Sequence, residues 1–359
     1  MAIPIVEKVP MMTRQIGVCP IPFKFDPITG CTFGCKYCFS RDITQFIRKV
    51  KVADGESVKF SSLTVCDIEN LENWISSALT KQSKNIGKIA FKERIPIKIG
   101  VMSDPFQYVE ETIRITYKVL KILHKVNYPV QISTKNPTLL ANYAEEFEKP
   151  NWIPSVTIAS PSEEFRKVIE PNAPSIDSRL NAVWKLSSMG IPVIVRIQPV
   201  IYPYILDNIQ ELIEKIYISG AKGIVLEGLK VKIGMCKKEQ QIYEEMGEYF
   251  GFNIREWYKK NGQITKTDYE LKKEDKLKYI GAAKVLCDRY NLKLYIGDND
   301  CRDYGCSGEC CGTSYLNNYK TIHQSELLLS CKANFSGDMK NNTEEKGAIL
   351  SKEIIDDAV

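Results

Sequence analysis

Between residues 95 and 232 the chain repeats one pattern. "IPIKIGVMS", "YPVQIST", "SVTIAS", "IPVIVRIQPV" and "KGIVLEGL" are short apolar runs of strand length. Between them, "VEETIRITYKVLKILHKV", "LLANYAEEFEK", "SRLNAVWKLSSMG" and "LDNIQELIEKIYISG" carry apolar residues at helical spacing, the last two closed by glycine. Strand-helix alternation of this kind builds a parallel sheet with right-handed crossovers. With "FKFDPITG" as a first strand the count is six, the number of an incomplete (β/α)6 barrel of the TIM type, and the fold class is α/β. A doubly wound open sheet shares the same periodicity and is the rival.

Residues 1–232 therefore read as a core barrel, interrupted by a polar excursion over 41–94 that is helical from about 66 to 82. From 233 to 336 two charged helical stretches, a last short strand "LKLYIGD" and a cysteine-rich segment form a C-terminal extension; 337–359 is a polar tail. The chain of 359 residues holds no apolar run long enough to span a membrane and no secretory leader pattern, so the cytoplasm is the expected location. In that compartment 12 cysteines are better read as metal ligands than as a disulfide framework. Only His124 and His323 supply imidazole, which argues against His-rich zinc sites and Ser-His-Asp catalysis.

"GCTFGCKYCFSRD" places Cys31, Cys35 and Cys38 on one loop after the first strand. Three thiolates can hold three irons of a [4Fe-4S] cube and leave the fourth iron open; a zinc knuckle borrowing a distant fourth ligand is the alternative. "DNDCRDYGCSGECCGTSY" supplies a second group, Cys301, Cys306, Cys310 and Cys311, suited to an auxiliary [4Fe-4S] cluster or an all-cysteine zinc site. Adjacent cysteines are awkward ligands for one cube, so Cys331 is a candidate to replace Cys310 or Cys311. Cys19, Cys66, Cys236 and Cys287 read as ordinary, mostly buried residues. Arg196 stands inside an apolar strand, where a guanidinium needs a partner such as an anionic substrate or cofactor, and Glu227 near the next strand end is a weaker candidate of the same kind.

The C-x3-C-x2-C spacing, with Tyr37 before the last cysteine, resembles the radical S-adenosylmethionine (SAM) superfamily. "DPITGCTFGCKYCFSRD", "MSDPFQYVEETIRITYKVLKIL", "STKN" and "IEPNAPSIDSRLNAVWKLSSMGIPVIVRIQPVI" are similar to its spore photoproduct lyase-like branch, over residues 22 to 230. The resemblance implies a cluster whose open iron takes SAM, a one-electron reductant such as flavodoxin or ferredoxin, and a 5′-deoxyadenosyl radical that abstracts hydrogen. It also implies that Ser103, Lys135 and Ser160, each following a strand, hold the amino-acid end of SAM. Asp104 beside Ser103 is a further cofactor candidate, with an N-cap of the long helix after it as the equal alternative. Two positions depart from the lyase: Val101 replaces its hydrogen-donating cysteine, and Phe39 the tyrosine of its hydrogen-return path. Thymine-dimer repair by the lyase's route is therefore not expected. The branch raises nucleic acid as a substrate class; six basic residues against one acid in "KQSKNIGKIAFKERIPIK", residues 81–98, fit a solvated helix-and-loop face first and a strip that tracks phosphates second. A peptide or small-metabolite substrate, and a metal-stapled nucleic-acid-binding module without catalysis, stand as alternatives.

Overall fold

Eight strands form the central sheet, and their order in space is their order in the chain. They are β1 (Met11–Met12), β2 (Phe23–Lys24), β3 (Ile97–Ile99), β4 (Val130–Thr134), β5 (Trp152–Thr157), β6 (Ile194–Val200), β7 (Gly223–Gly228) and β8 (Lys293–Ile296). β1 pairs antiparallel with β2, and every other neighbouring pair is parallel. This computed structural model describes residues 3–12, 21–41, 60–306 and 311–321.

That order separates the two topologies the periodicity left open. A doubly wound sheet reverses direction at a switch point. Here each crossover steps the same way, so right-handed crossovers place all the helices on one face and leave the other concave. The sheet is α/β and mostly parallel, and it ends at β1 and β8 without closing. The segment expected as an extension adds to it: "LKLYIGD" is β8, in register with β7 from Gly223 opposite Lys293 to Leu226 opposite Ile296.

The central strands are buried on both faces, as a covered parallel sheet requires. All six residues of β5 are buried. Ser175 caps the helix Ile176–Ser188 by accepting from Ser178 N at 3.1 Å, and Asp67 caps Ile68–Thr80 within the excursion. The apolar run after β3 is expected as one helix but forms two, Glu110–Ile113 and Ile115–Lys125. Buried Glu110 turns back to accept from Ile115 N at 2.9 Å and Tyr117 N at 3.0 Å, which breaks the helical ladder at Arg114 (φ 47°).

A small sheet of Val231–Lys232, Gln263–Ile264 and Asp268–Glu270, with helices Lys237–Phe250 and Ile254–Asn261, is inserted after β7. Helix Lys273–Tyr290 then returns to pack on Ile205–Ile218. After β8 the chain runs back along the sheet edge, Cys306 N donating to Leu294 O at 2.7 Å, and residues 311–321 cross the base. There Leu316 joins Ile153, Ile194, Val225 and Tyr295 in a separate buried cluster. Asn151 and Asn317 bond reciprocally at 2.9 Å each way, and Arg94 Nε donates to Asn318 O at 2.6 Å. Among the described residues no helix is long and apolar enough to cross a membrane.

Candidate active site

Because the strands are parallel, every residue that follows one lies at the same end of the sheet, where such folds place their chemistry. Ile28–Thr29, after β2, is pinned by Thr64–Cys66 of the excursion. The three-cysteine loop starts immediately beyond, with Cys31 N donating to Phe60 O at 3.0 Å. Cys31 and Cys38 are half-buried and Cys35 is buried.

Burial, with Asp104 adding to it, pushes the Cys31 thiol up to about 11. Burial raises Cys35 as well, against the pull of Lys135. Cys31 and Cys38 both pack against the hydrophobic cluster that contains Cys35, so the three cysteines share one neighbourhood. Among the described residues no three His, Cys or carboxylate side chains converge on a single-ion position. A cube asks for something else, since its thiolates hold separate irons. Three sulfurs on one anchored loop, with a lysine cation beside the buried one, fit a cluster; a bound metal deprotonates its thiols outright.

The other expected residues gather around this loop. Ser103, 8% exposed, donates its hydroxyl to Ile28 O and so ties the end of β3 to the start of the loop. Its own turn is set by Asp26, which accepts from Gly100 N, Val101 N and Met102 N at 2.8–3.1 Å. Gly100 is obligatory there, with φ +84° and no room for a Cβ, which would lie 2.0 Å from Ser133 O. Asp104 accepts from Phe106 N, Thr134 Oγ1 and Lys135 N at 2.7–3.0 Å, joining the ends of β3 and β4. Lys135 Nζ stands 5.3 Å from the Tyr37 ring centroid. Ser160, fully buried, shares a 2.8 Å hydrogen bond with Tyr204 Oη.

Arg196 is on the concave face, opposite Thr157 and Val225. Its Nε and Nη2 donate to the Gln198 amide oxygen, and Gln198 Nε2 donates to Glu227. The partner of this half-buried guanidinium is therefore a neutral amide rather than a carboxylate. Glu227 lies 3.4 Å from Lys230.

The second cysteine group is spread along the sheet edge. Cys301 follows the end of β8, beside Lys276 and Asp298, and burial raises its thiol to about 11. Cys306 bonds back at Leu294, and Cys311 packs against Ile21. Cys310, Cys331 and Cys19 lie outside the described residues. Of the single cysteines, Cys66 and Cys287 are buried as expected, and Cys236 is exposed.

Two residues of the site escaped the sequence reading. Glu170 and Arg179, both with fully buried side chains, form an ion pair at 2.6 Å beneath the loop, and Tyr37 Oη donates to Glu170. The available signal was Arg179 itself: it shares the apolar stripe of its helix with Ile176, Val183 and Leu186.

A three-cysteine loop at the C-terminal mouth of a singly wound βα sheet defines an α/β protein of the partial-barrel class. The Radical SAM superfamily model matches residues 26–216, more than half of the chain, and the chain belongs to the radical SAM superfamily. An uncharacterized protein of Mycobacterium tuberculosis is 21% identical over 220 residues, 59% of this chain and 60% of that one. An uncharacterized protein of Methanocaldococcus jannaschii is 28% identical over 192 residues, 53% and 62% of the two. The match thus spans about three fifths of these relatives' length. Spore photoproduct lyase complexed with dinucleoside spore photoproduct shares the fold, with a TM-score of 0.53 at 14% identity over 77% of this chain and 76% of that one.

Proposed function

We propose that Cys31, Cys35 and Cys38 hold a [4Fe-4S] cluster and that the mouth around them binds SAM. When bound, the cluster supplies one electron for reductive cleavage of SAM, giving methionine and a 5′-deoxyadenosyl radical that takes hydrogen from a substrate. The observation that carries the reading is the convergence of the three-cysteine loop with Ser103, Lys135 and Ser160 at one end of the sheet. Lys135 offers a cation to the SAM carboxylate, and Ser160, bonded to Tyr204, offers a hydroxyl of fixed direction. Asp104 acts by fixing the loop that carries Ser103, since its oxygens already accept from Phe106, Thr134 and Lys135. Arg196, with donors left after bonding Gln198, faces SAM or an anionic group of the substrate.

Flavodoxin or ferredoxin is the class of reductant, and the cytoplasm, with its reduced thiols, is the compartment this chemistry needs. Nucleic acid is the substrate class to test first, on the likeness to the lyase, with a peptide or small metabolite as the other arm. Val101 and Phe39 stand where the lyase route needs a cysteine and a tyrosine, so dimer repair is not proposed. The deciding experiment is anaerobic reconstitution, iron and sulfide analysis, then incubation with SAM and dithionite. We expect 5′-deoxyadenosine from the wild type and none from the triple Cys31/Cys35/Cys38→Ala variant. Iron binding without SAM cleavage would leave a binding module instead.

A further inference from the structure

The cysteine loop leans on a cradle, residues 169–173. Lys36 N donates to Ile169 O at 2.9 Å, Asn172 N to Phe33 O at 3.2 Å and Asn172 Nδ2 to Thr32 O at 3.0 Å. Ala173 packs with Phe33 and Cys35. At the centre of the cradle Glu170 divides its two oxygens. One faces Arg179 Nη1 at 2.6 Å, and Arg179 is itself fixed by Pro174 O and Thr157 O at 3.0 Å each. That ion pair compensates the charge of the buried carboxylate. The other oxygen accepts the phenol of Tyr37, the residue between Lys36 and Cys38, and so reaches into the loop.

The Tyr37 ring has a second neighbour. The Lys135 ammonium stands 5.3 Å from its centroid, a cation–π distance, and acts electrostatically on Cys35. A ring free to swing would leave this cation without its platform. Three thiolates make a bound cluster anionic, and a further electron makes it more so, hence a cation held close favours the reduced form.

We propose that Glu170 is a positioning residue for the cluster: by anchoring the Tyr37 phenol it holds the ring on which the Lys135 ammonium rests beside Cys35, and so raises the cluster's reduction potential. This rests on the cluster-binding reading above. Its readout is the potential of the resting protein, without SAM turnover.

The test is an EPR-monitored redox titration of the full chain, reconstituted anaerobically. Tyr37→Phe keeps the ring and every charge but releases the anchor. Its reduction equilibrium constant should fall about ten-fold, a shift of about 59 mV to more negative potential for one electron. Lys135→Met should lower the potential at least as far, and adding Tyr37→Phe to it should then change nothing more. Glu170→Gln leaves an acceptor for the phenol and removes an anion, so its potential should not fall. An unchanged potential in Tyr37→Phe, an undiminished effect of Tyr37→Phe in the Lys135→Met background, or a lowered potential in Glu170→Gln overturns the proposal while leaving the cluster in place. A wild-type chain that binds no iron removes the cluster-binding reading, and this proposal with it.

Discussion

Replacing Lys276 by Met tests the charge network that fastens the inserted segment to the end of the sheet. The Lys276 side chain is 2% exposed, and its ammonium lies 2.9 Å from Asp300, 3.5 Å from Asp298 and 3.6 Å from Glu270. Met fills similar volume, so the loss is electrostatic. Removing one partner of a buried pair costs roughly 3–5 kcal/mol, because the other charge is left without compensation. Asp298, also 2% exposed, keeps two donors, Gly228 N at 3.0 Å and Tyr279 Oη at 2.9 Å. Asp300, at 35%, can turn to water. The low end of the range therefore applies, about 3 kcal/mol. The pH dependence adds a sign. Burial lowers the Lys276 pKa, but Asp298, Asp300 and Glu270 together raise it above its ordinary 10.5. A raised lysine contributes stability that is complete below the unfolded value and is lost as pH climbs through the folded one. Urea unfolding followed by tryptophan fluorescence should show a constant gap between wild type and Lys276→Met up to about pH 10.5, narrowing above it. A gap below about 1 kcal/mol, or one that does not narrow at high pH, would refute the account.

Three other outcomes follow from the geometry. Lys135→Ala should weaken SAM binding by about 1.5–3 kcal/mol, the worth of a hydrogen bond to a charged group, measured by equilibrium dialysis on reconstituted protein; unchanged affinity takes Lys135 out of the SAM site. Gly312→Ala should destabilise the chain by at least 1–2 kcal/mol, the cost of a left-handed non-glycine residue, since Gly312 has φ +71° and a Cβ there would sit 2.8 Å from Ile194 Cγ1. Faster proteolysis within 311–321 would register it. Because Cys301, Cys306 and Cys311 do not converge among the described residues, the triple Cys31/Cys35/Cys38→Ala protein should purify without a brown chromophore. A brown protein with about four irons would establish an auxiliary cluster, and about one zinc without colour a structural metal.

The strands and helices of the core were readable because each buries a face, and burial writes its period into the sequence. Which strand lies beside which was not. The strand "LKLYIGD" was visible, but its place beside Gly223–Leu226 is hidden by the intervening insertion. The break at Arg114 was hidden for another reason: Glu110 reads as one more exposed helical acid, whereas its carboxylate is buried and bonded to the next turn. In the site, the cysteine spacing was legible because it is local in the chain, and Tyr37 through the resemblance that spacing carries. The bond from Tyr37 to Glu170 spans 133 residues, and no periodicity reports a contact of that kind. Arg196 illustrates the remaining gap: its need for a partner was evident, yet nothing in the pattern distinguishes Gln198 from a carboxylate.

Strand order that follows chain order also bears on how the molecule comes into being at the ribosome. Each new parallel strand can add to an edge already made, so the sheet can grow in the direction of synthesis. The cysteine loop emerges well over a hundred residues before its cradle at 169–173. The base is sealed later still, by contacts such as Asn151 with Asn317 and Arg94 with Asn318, 166 and 224 residues apart. A nascent chain halted before residue 311 would thus present a finished mouth above an open floor.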